Sequence, residues 1–398
     1  MNNNKIRIIE ICFYGIRFFR NFRLNYGIST LYLFSQGLTA TEVFFVDSCL
    51  WWAMVAVQVP SGALGDRFGN KFPLVVGALA MPVGVGLMAL GGHLVIYAVG
   101  SAILGVGIGC VGGSDSAVVL ESLEAENSRS EFRRIEANGV ACRLTALALG
   151  VVIGGWLAEL FSLPLVVVLT GATLALVLPF ALITPTVKNS AKATYGTDQT
   201  LIIGMKQIWR KLEIRYVFYF AVLFLIVDTG NWGVQLTLSQ LEVGTSAIGI
   251  WFATILATAA IVSKIGGKID TRKSGKRFLL CFFLLALGYS LCFAFASQSP
   301  SSSSWTWLVL GSIFYSLCRG LYVPYFRDFI SAGYSGGEFA TVFSVMIFVG
   351  SVLIAVVSPL IGFVLDTYGL STIFWIFFAA ILAVFGHIVF HQRTRPLS

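Results

Sequence analysis

One long apolar stretch, residues 215–241, contains polar side chains at spacings that suit shared chemistry. Asp228, Trp232 and Gln235 follow an i, i+4, i+7 spacing, and Asn231 lies three residues after Asp228, so a helix would present them on one face. Removal from water favours the neutral form of a carboxylic acid. Asp228 is therefore the candidate proton carrier, and Trp232 and Gln235 are candidate substrate contacts.

A second apolar stretch, residues 305–330, places Tyr315, Arg319 and Tyr322 along one stripe of a helix. All three are candidate substrate contacts. A charge at mid-bilayer costs about 3 kcal/mol on translocon scales and usually faces a partner or a cavity. Arg319 falls at a similar depth to Asp228. The two residues could form a structural ion pair or act on substrate and protons, and a pair that breaks on binding would do both.

Three arginines, Arg17, Arg20 and Arg23, lie three residues apart in the first apolar stretch, residues 13–36. Arg17 and Arg20 fall near one end of the stretch, and we interpret them as snorkelling to the lipid headgroups. Arg23 and Asn25 fall deeper, where a polar side chain usually faces a cavity. The sequence therefore predicts that Arg23 and Asn25 contact the substrate.

Asp115 and Arg143 are two further charges inside apolar stretches. Both fall towards the same predicted end of their helices. They are predicted to form an ion pair, which we interpret as structural rather than gating.

The elements that must position these residues are membrane helices. The chain has 398 residues, of which 57% are hydrophobic and 12% are charged, and its mean hydropathy is +0.84. Soluble domains average about 25% charged residues, and a water-soluble fold needs a largely polar outer shell. A bilayer removes that requirement. The predicted fold class is therefore an all-α membrane protein.

Twelve stretches reach the length of about 20 mostly apolar residues that a membrane helix needs. They are residues 13–36, 44–64, 73–91, 94–120, 137–160, 164–185, 215–241, 245–266, 277–298, 305–330, 337–365 and 370–390. The six loops on one predicted side contain no Lys or Arg, and they are residues 37–43, 91–93, 161–163, 242–245, 299–304 and 366–369. The positive-inside rule then places both termini in the cytoplasm. The expected location is the cytoplasmic (inner) membrane.

The two halves of the chain repeat each other in sequence. Residues 62–71 and 266–277 both run glycine, aspartate four residues later, then glycine and a cation. The fifth and eleventh stretches also end alike, in Gly155 to Glu159 and Gly362 to Asp366. The repeat predicts two pseudo-symmetric six-helix bundles, residues 1–185 and 214–398, joined by a cytoplasmic loop at residues 186–213.

Residues 62–71, Gly-Ala-Leu-Gly-Asp-Arg-Phe-Gly-Asn-Lys, resemble the loop signature of the major facilitator superfamily, and the resemblance extends over nearly the whole chain. It implies that superfamily's twelve-helix fold and transport by alternating access. Glycines would let the second helix approach a neighbour, the aspartate would face a helix N-terminus in the other half, and the cations would pair with acidic residues. The gating residues implied are Gly62, Gly65, Asp66, Arg67, Gly69 and Lys71, with Asp270 and Arg272 in the second copy.

Glycines in the fourth and fifth stretches are predicted to pack helices closely. They are Gly105, Gly109, Gly113, Gly150 and Gly154. The resemblance to drug–proton antiporters is incomplete here, because Ser101 and Val151 stand where those proteins have an arginine and a proline. Residues 114–123 resemble a branch of small bacterial family members, many of them exporters.

The predicted function is a secondary active transporter that moves a small amphipathic molecule by alternating access, with proton-coupled export as the favoured direction. An uptake symporter or uniporter and a lipid flippase are the alternatives. The sequence has no G-x-x-x-x-G-K-S/T loop for ATP. It also shows no metal-ligand cluster and no nucleophile–base pair, so neither a cofactor nor an enzymatic activity is predicted. The expected partners are a small-molecule substrate, protons and the lipid bilayer, not nucleic acid, and the expected state is a monomer.

Overall fold

The computed structural model describes residues 3–185, 214–266, 275–298, 302–331 and 337–394, and every regular element in these ranges is helical. Two sequence predictions, the cytoplasmic loop at 186–213 and the second motif copy with Asp270 and Arg272, lie outside the described residues.

Fourteen α-helices and one short 3₁₀ turn make up the described residues. The first set is α1 (Asn3–Asn21), α2 (Ser29–Ser35), α3 (Ala40–Phe68), α4 (Lys71–Leu90), α5 (Leu94–Ala125), the 3₁₀ turn (Arg129–Glu131), α6 (Phe132–Leu160), α7 (Leu163–Ala175) and α8 (Val177–Ile183). The second set is α9 (Ile214–Gln240), α10 (Thr245–Gly266), α11 (Gly275–Ala296), α12 (Ser302–Ser331), α13 (Gly337–Tyr368) and α14 (Leu370–Thr394).

Within these ranges, ten helical spans are long and apolar enough to cross a membrane. They correspond to ten of the twelve predicted stretches. The other two are residues 13–36, which form α1 and α2, and residues 305–330, which lie in α12. The all-α membrane class is confirmed, and the count of twelve stays a prediction.

The first predicted membrane helix is interrupted, because α1 ends at Asn21 and α2 begins at Ser29. The intervening residues form turns, so the expectation of one continuous helix over residues 13–36 is wrong. Threonine hydroxyls of α7 support the interruption: Thr173 Oγ1 donates to the Phe22 carbonyl at 3.2 Å, and Thr170 Oγ1 accepts from the Asn25 amide at 3.1 Å. Such partners are needed wherever backbone leaves the helix inside a bilayer.

The described chain forms two compact units. The first consists of residues 1–38, 42–200 and 245–253, and the second of residues 39–41, 201–244 and 254–398. In the first unit α4 and α5 lie side by side at glycines: a Cβ on Gly84 would be 2.5 Å from the Gly100 carbonyl oxygen. Small residues of this kind let membrane helices approach closely.

Contacts in the first unit bring several predicted cytoplasmic segments to one end. Lys71, at the start of α4, donates from Nζ to the Thr184 carbonyl after α8 at 2.7 Å. Lys5 pairs with Glu126 after α5 at 2.8 Å. The contacts join these segments in pairs, and the order of crossings that the charge pattern indicates stays a prediction.

Aromatic rings fill the core of the second unit. The ring of Tyr289 lies 5.0 Å from that of Phe293 and 5.4 Å from that of Tyr315, and Phe293 lies 5.3 Å from Phe374. All four side chains are almost fully buried. They join α11, α12 and α14. Tyr315 therefore belongs to this apolar core and also lies next to the polar residues of α9 and α12.

Candidate functional site

A largely buried ion cluster joins three helices of the first unit. Arg17 Nε of α1 lies 2.6 Å from Asp115 Oδ2 of α5, and Arg20 Nη1 lies 3.6 Å from the same oxygen. Arg17 Nη2 also contacts Glu136 of α6 at 3.0 Å and donates to Ser116 Oγ at 2.8 Å. The cluster therefore ties α1, α5 and α6 together through charge-assisted hydrogen bonds.

Two sequence interpretations change at this cluster. Arg17 is only 9% exposed and Asp115 only 3%, so Arg17 and Arg20 turn inward to a carboxylate instead of snorkelling. The predicted pairing of Asp115 with Arg143 is corrected, because the partners of Asp115 are Arg17 and Arg20, while Arg143 is exposed on α6. The physical reason is that the arginines of α1 lie inside the unit and can neutralise Asp115 directly.

Arg23 and Asn25 lie on the interruption between α1 and α2. A Cβ on Gly150 of α6 would be 3.0 Å from the Arg23 amide nitrogen, and a Cβ on Gly154 would overlap the Leu24 carbonyl. The two predicted packing glycines therefore accommodate the non-helical backbone that holds Arg23 and Asn25. Within the described residues, Arg23 Nε and Asn25 Oδ1 are buried without a hydrogen-bond partner.

A second polar cluster joins α9 and α12 in the second unit. Arg319 Nη1 donates to Asn231 Oδ1 and to the Tyr315 hydroxyl oxygen, both at 2.7 Å. Tyr315 in turn donates to the Val227 carbonyl at 2.9 Å and lies 3.2 Å from Asn231 Oδ1. A Cβ on Gly230 would overlap the Tyr315 ring, so this glycine permits the close approach of α12.

Asp228 is half-buried on α9, in the helical turn that precedes Asn231. Both Asp228 and Arg319 lie close enough to Tyr322 to interact with it electrostatically. An Asp228–Arg319 ion pair stays a prediction. The structure thus gathers Asp228, Tyr315, Arg319 and Tyr322 in one region of the second unit.

The other predicted substrate contacts, on α9 and α12, lie in the packed interior of the second unit. Trp232 is 6% exposed, with its ring 6.5 Å from that of Phe377, and Gln235 is 1% exposed. Tyr322 packs against Phe220, with ring centroids 6.1 Å apart. Their substrate contacts stay predictions, and each of these side chains already contributes to the unit's core.

The turn between α3 and α4 has the geometry that its glycines suggest. Gly69 adopts a φ of +87°, a left-handed conformation that favours glycine. A Cβ on Gly65 would be 2.5 Å from Asn70 Oδ1, so Gly65 accommodates this turn, while Gly62 is exposed. Asn70 Nδ2 donates to Glu121 Oε1 of α5 at 2.7 Å.

The cations of this turn differ from expectation in their partners. Lys71 Nζ donates to the carbonyls of Leu182 and Thr184, both at 2.7 Å, so it caps the C-terminal end of α8 instead of pairing with a carboxylate. Arg67 is exposed, with its guanidinium 5.1 Å from the Phe68 ring centre. The gating role of Asp66 stays a prediction.

Glycines of α5 set the contact with α3 in the first unit. A Cβ on Gly105 would lie 3.0 Å from the Leu50 carbonyl carbon, and one on Gly109 would lie 3.2 Å from the Met54 carbonyl oxygen. Gly113 does not continue this contact among the described residues, since a Cβ there would meet none of their atoms within 4 Å.

Two carboxylates at the ends of repeated segments cap helix N-termini. In the second unit, Asp366 accepts from the amides of Ala40 and Thr41 at 2.9 and 2.8 Å, at the first turn of α3. In the first unit, Glu159 accepts from the Ser246 amide at 2.8 Å, at the first turn of α10. An anion at this position satisfies free amides and the positive end of the helix dipole. The sequence repeat that ends in Glu159 and Asp366 thus has the same local chemistry in both units.

Sequence reasoning missed three features of these sites: Glu136, Ser116 and the interruption of the first helix. Glu136 falls one residue before the predicted fifth stretch, residues 137–160, so it was not considered among the charges inside apolar stretches. Among the described residues, there is no group of three or more His, Cys, Asp or Glu side chains that could hold a metal ion.

The many apolar spans and the two polar clusters between them define a multi-pass helical membrane protein of the transporter class. The family model of the Major Facilitator Superfamily matches residues 11–353, and the chain belongs to this family. It is therefore a transporter rather than an enzyme.

Solved structures of other transporters share the fold. The chain is similar to the nucleoside transporter NupG, with a TM-score of 0.76, 14% identity and 98% of each chain covered. A mutant of NupG gives a TM-score of 0.80 and 14% identity, covering 96% of this chain and 99% of that one. A POT family transporter in complex with a thioalcohol-conjugated peptide gives 0.71 and 15% identity, covering 98% and 96%. No curated protein sequence matches the chain significantly.

Proposed function

We propose that this transporter is a proton-coupled exporter that moves a small amphipathic molecule across the cytoplasmic membrane by alternating access. The observation that carries the proposal is the Arg319–Asn231–Tyr315 cluster in α9 and α12, with Asp228 one helical turn away. Charged groups inside membrane helices are expensive and mark substrate or proton pathways.

The chemistry of this cluster suits a proton-dependent switch. Arg319 Nη1 donates to two neutral acceptors, Asn231 and Tyr315, which hold this nitrogen in place. Ionised Asp228 supplies a negative charge on the same helix as Asn231, and protonation removes that charge. Proton binding therefore changes the local net charge by one unit and alters how strongly Arg319 attracts a polar part of the substrate. The proposed contacts of the apolar part are Tyr315, Tyr322 and Trp232, which are buried in this structure and would have to become accessible in another conformation of the transport cycle.

The topology is part of the same proposal. Both termini are on the cytoplasmic side, the turn between α3 and α4 faces the cytoplasm, and the protein acts as a monomer. The contacts of Lys5 with Glu126 and of Lys71 with Thr184 support a common side for these segments. Cysteine labelling of Lys192 and Lys273 variants in intact cells tests it, and labelling from opposite sides of the membrane would refute the topology.

The proton role of Asp228 can be tested without knowing the substrate. Dicyclohexylcarbodiimide attaches covalently to protonated carboxyl groups in apolar surroundings, and mass spectrometry locates the modified residue. We expect pH-dependent modification of Asp228 in membranes, its loss in Asp228→Asn, and its persistence in the control Glu242→Gln just after α9. Modification of Asp228 that does not vary between pH 5 and pH 9 would refute the proton role.

Transport and its direction require a second assay. A nucleoside, a dipeptide and an amphipathic carboxylate serve as labelled probes in everted membrane vesicles, the first two because structural neighbours are described as nucleoside and peptide-bound POT family transporters. Acid-inside vesicles should accumulate a transported probe if the protein is an antiporter. Accumulation driven only by an acidic exterior would instead establish an uptake symporter. pH-driven flux that is unchanged in Asp228→Asn would remove Asp228 from the mechanism.

A further inference from the structure

Positive charge exceeds negative charge around the interruption between α1 and α2. In the first unit's ion cluster, Arg17 is contacted by both Asp115 and Glu136. Arg20 reaches only Asp115 among the described carboxylates, at 3.6 Å, and that carboxylate already lies 2.6 Å from Arg17. Arg20 is therefore only partly neutralised.

Arg23 has no carboxylate of the described residues within 4.0 Å, and its Nε is buried without an acceptor. The centre of the Tyr26 ring lies 5.8 Å from its guanidinium carbon. Arg23 also lies within electrostatic range of Arg20. Arg20 shares its carboxylate with Arg17, and Arg23 has none within this distance, so the two neighbouring cations repel one another. An anion bound between them would offset this repulsion.

The Arg20 guanidinium lies against a position of α5 that has no side chain. A Cβ on Gly112 of α5 would lie 3.8 Å from Arg20 Nη2, and a Cβ on the next residue, Gly113, would meet no atom of the described residues within 4 Å. Both glycines are exposed. Because Gly112 is exposed and has no side chain, α5 does not cover the Arg20 guanidinium with a side chain at this position.

We propose that the first unit binds an oxyanion, a carboxylate or a phosphate, through the guanidinium of Arg23 with Arg20 as the second contact. A guanidinium presents planar paired donors that match carboxylate and phosphate oxygens. The inference rests on the proposed transport function and names the class of its substrate: an amphipathic molecule with an anionic group. The same oxyanion chemistry occurs in the headgroup of an anionic lipid.

Thermal unfolding of the purified protein in a neutral detergent tests the proposal. Inorganic phosphate and benzoate are the probes, added at constant ionic strength against chloride. The variants are Arg23→Gln and the control Arg133→Gln, an exposed arginine on α6. We expect a saturable rise of the unfolding temperature with at least one probe in the wild type and in the control. In Arg23→Gln the half-saturating concentration should rise roughly tenfold or more, because a charge-assisted hydrogen bond is lost.

The chloride baseline gives a second, independent readout. Arg23→Gln removes an uncompensated cation, so its unfolding temperature without probe should equal or exceed that of the wild type. A lower unfolding temperature in chloride together with an unchanged probe response would overturn the proposal, since Arg23 would then be a structural residue. No saturable response to phosphate, benzoate or anionic lipid in the wild type would also overturn it.

A lipid arm separates the two sources of the anion. The unfolding temperature is measured in mixed micelles with phosphatidylglycerol and with phosphatidylcholine. If the ligand is a lipid headgroup, phosphatidylglycerol should raise the unfolding temperature more in the wild type than in Arg23→Gln. Stabilisation by phosphate or benzoate alone assigns a soluble substrate. Binding is measured here without any gradient, so loss of proton coupling in vesicles would refute the proposed exporter while leaving this result intact.

Discussion

Replacement of Asp115 by asparagine tests the ion cluster of the first unit. Asp115 is 3% exposed and lies 2.6 Å from Arg17 and 3.6 Å from Arg20. The variant keeps the shape and one acceptor oxygen but removes the only charge that both arginines share. Removing one partner of a buried pair typically costs about 3–5 kcal/mol, because an uncompensated charge is left behind.

The lower end of that range applies here. Glu136 still contacts Arg17 at 3.0 Å, so Arg17 keeps one carboxylate while Arg20 loses its described one. We therefore expect Asp115→Asn to lower the free energy of unfolding by about 3 kcal/mol. Equilibrium unfolding in mixed micelles with increasing sodium dodecyl sulfate, followed by tryptophan fluorescence, measures this change.

Two comparisons make the result specific. Glu124→Gln breaks the exposed contact with Arg129, and exposed ion pairs contribute little, so that variant should resemble the wild type. The double variant Asp115→Asn with Arg17→Gln should be more stable than the sum of the single changes predicts, because the two residues interact directly. An Asp115→Asn variant as stable as Glu124→Gln would refute the view that the cluster is a buried, mutually neutralising unit.

Three further predictions concern other contacts of the two units. Gly154→Leu should destabilise the protein by about 1–3 kcal/mol in the same unfolding assay, because its side chain would displace the Leu24 carbonyl, whereas Gly113→Leu should be tolerated; equal effects would refute the packing argument. Asn231→Leu should lower the free energy of unfolding by about 2 kcal/mol by removing one of the two acceptors of Arg319 Nη1, and an unaltered transition would contradict this. Asp366→Ala should cost only about 0.5 kcal/mol, since the cap is exposed, but should speed amide hydrogen exchange at the first turn of α3; unchanged exchange there would argue against the cap.

The membrane class was predictable from the sequence because it depends on composition and length. A bilayer requires long apolar helices whatever their neighbours are, so ten of the predicted stretches reappear as candidate spans. The family was predictable for a similar reason: the motif at residues 62–71 is local, and its positive-φ glycine, Gly69, is a property of a single turn.

Partners of charged residues were not predictable in the same way. Helical spacing places Arg17, Arg20 and Arg23 on one side of a helix but does not say which helix faces that side. The sequence suggested Arg143 for Asp115, since both fall at the same depth. Only the packing of α1 against α5 decided that Arg17 and Arg20 are its partners.

The sequence by itself determined that this chain crosses a membrane many times, belongs to a transporter family, and carries polar residues on specific helix faces. These properties follow from hydropathy, periodicity and a short motif, each of which is read from neighbouring residues. Tertiary structure alone decided that the first helix is interrupted at Arg23 and Asn25, since the hydroxyls of α7 and the glycines of α6 that accept the non-helical backbone are more than a hundred residues away. A free backbone amide or carbonyl in a bilayer needs such a partner, and local sequence cannot supply it.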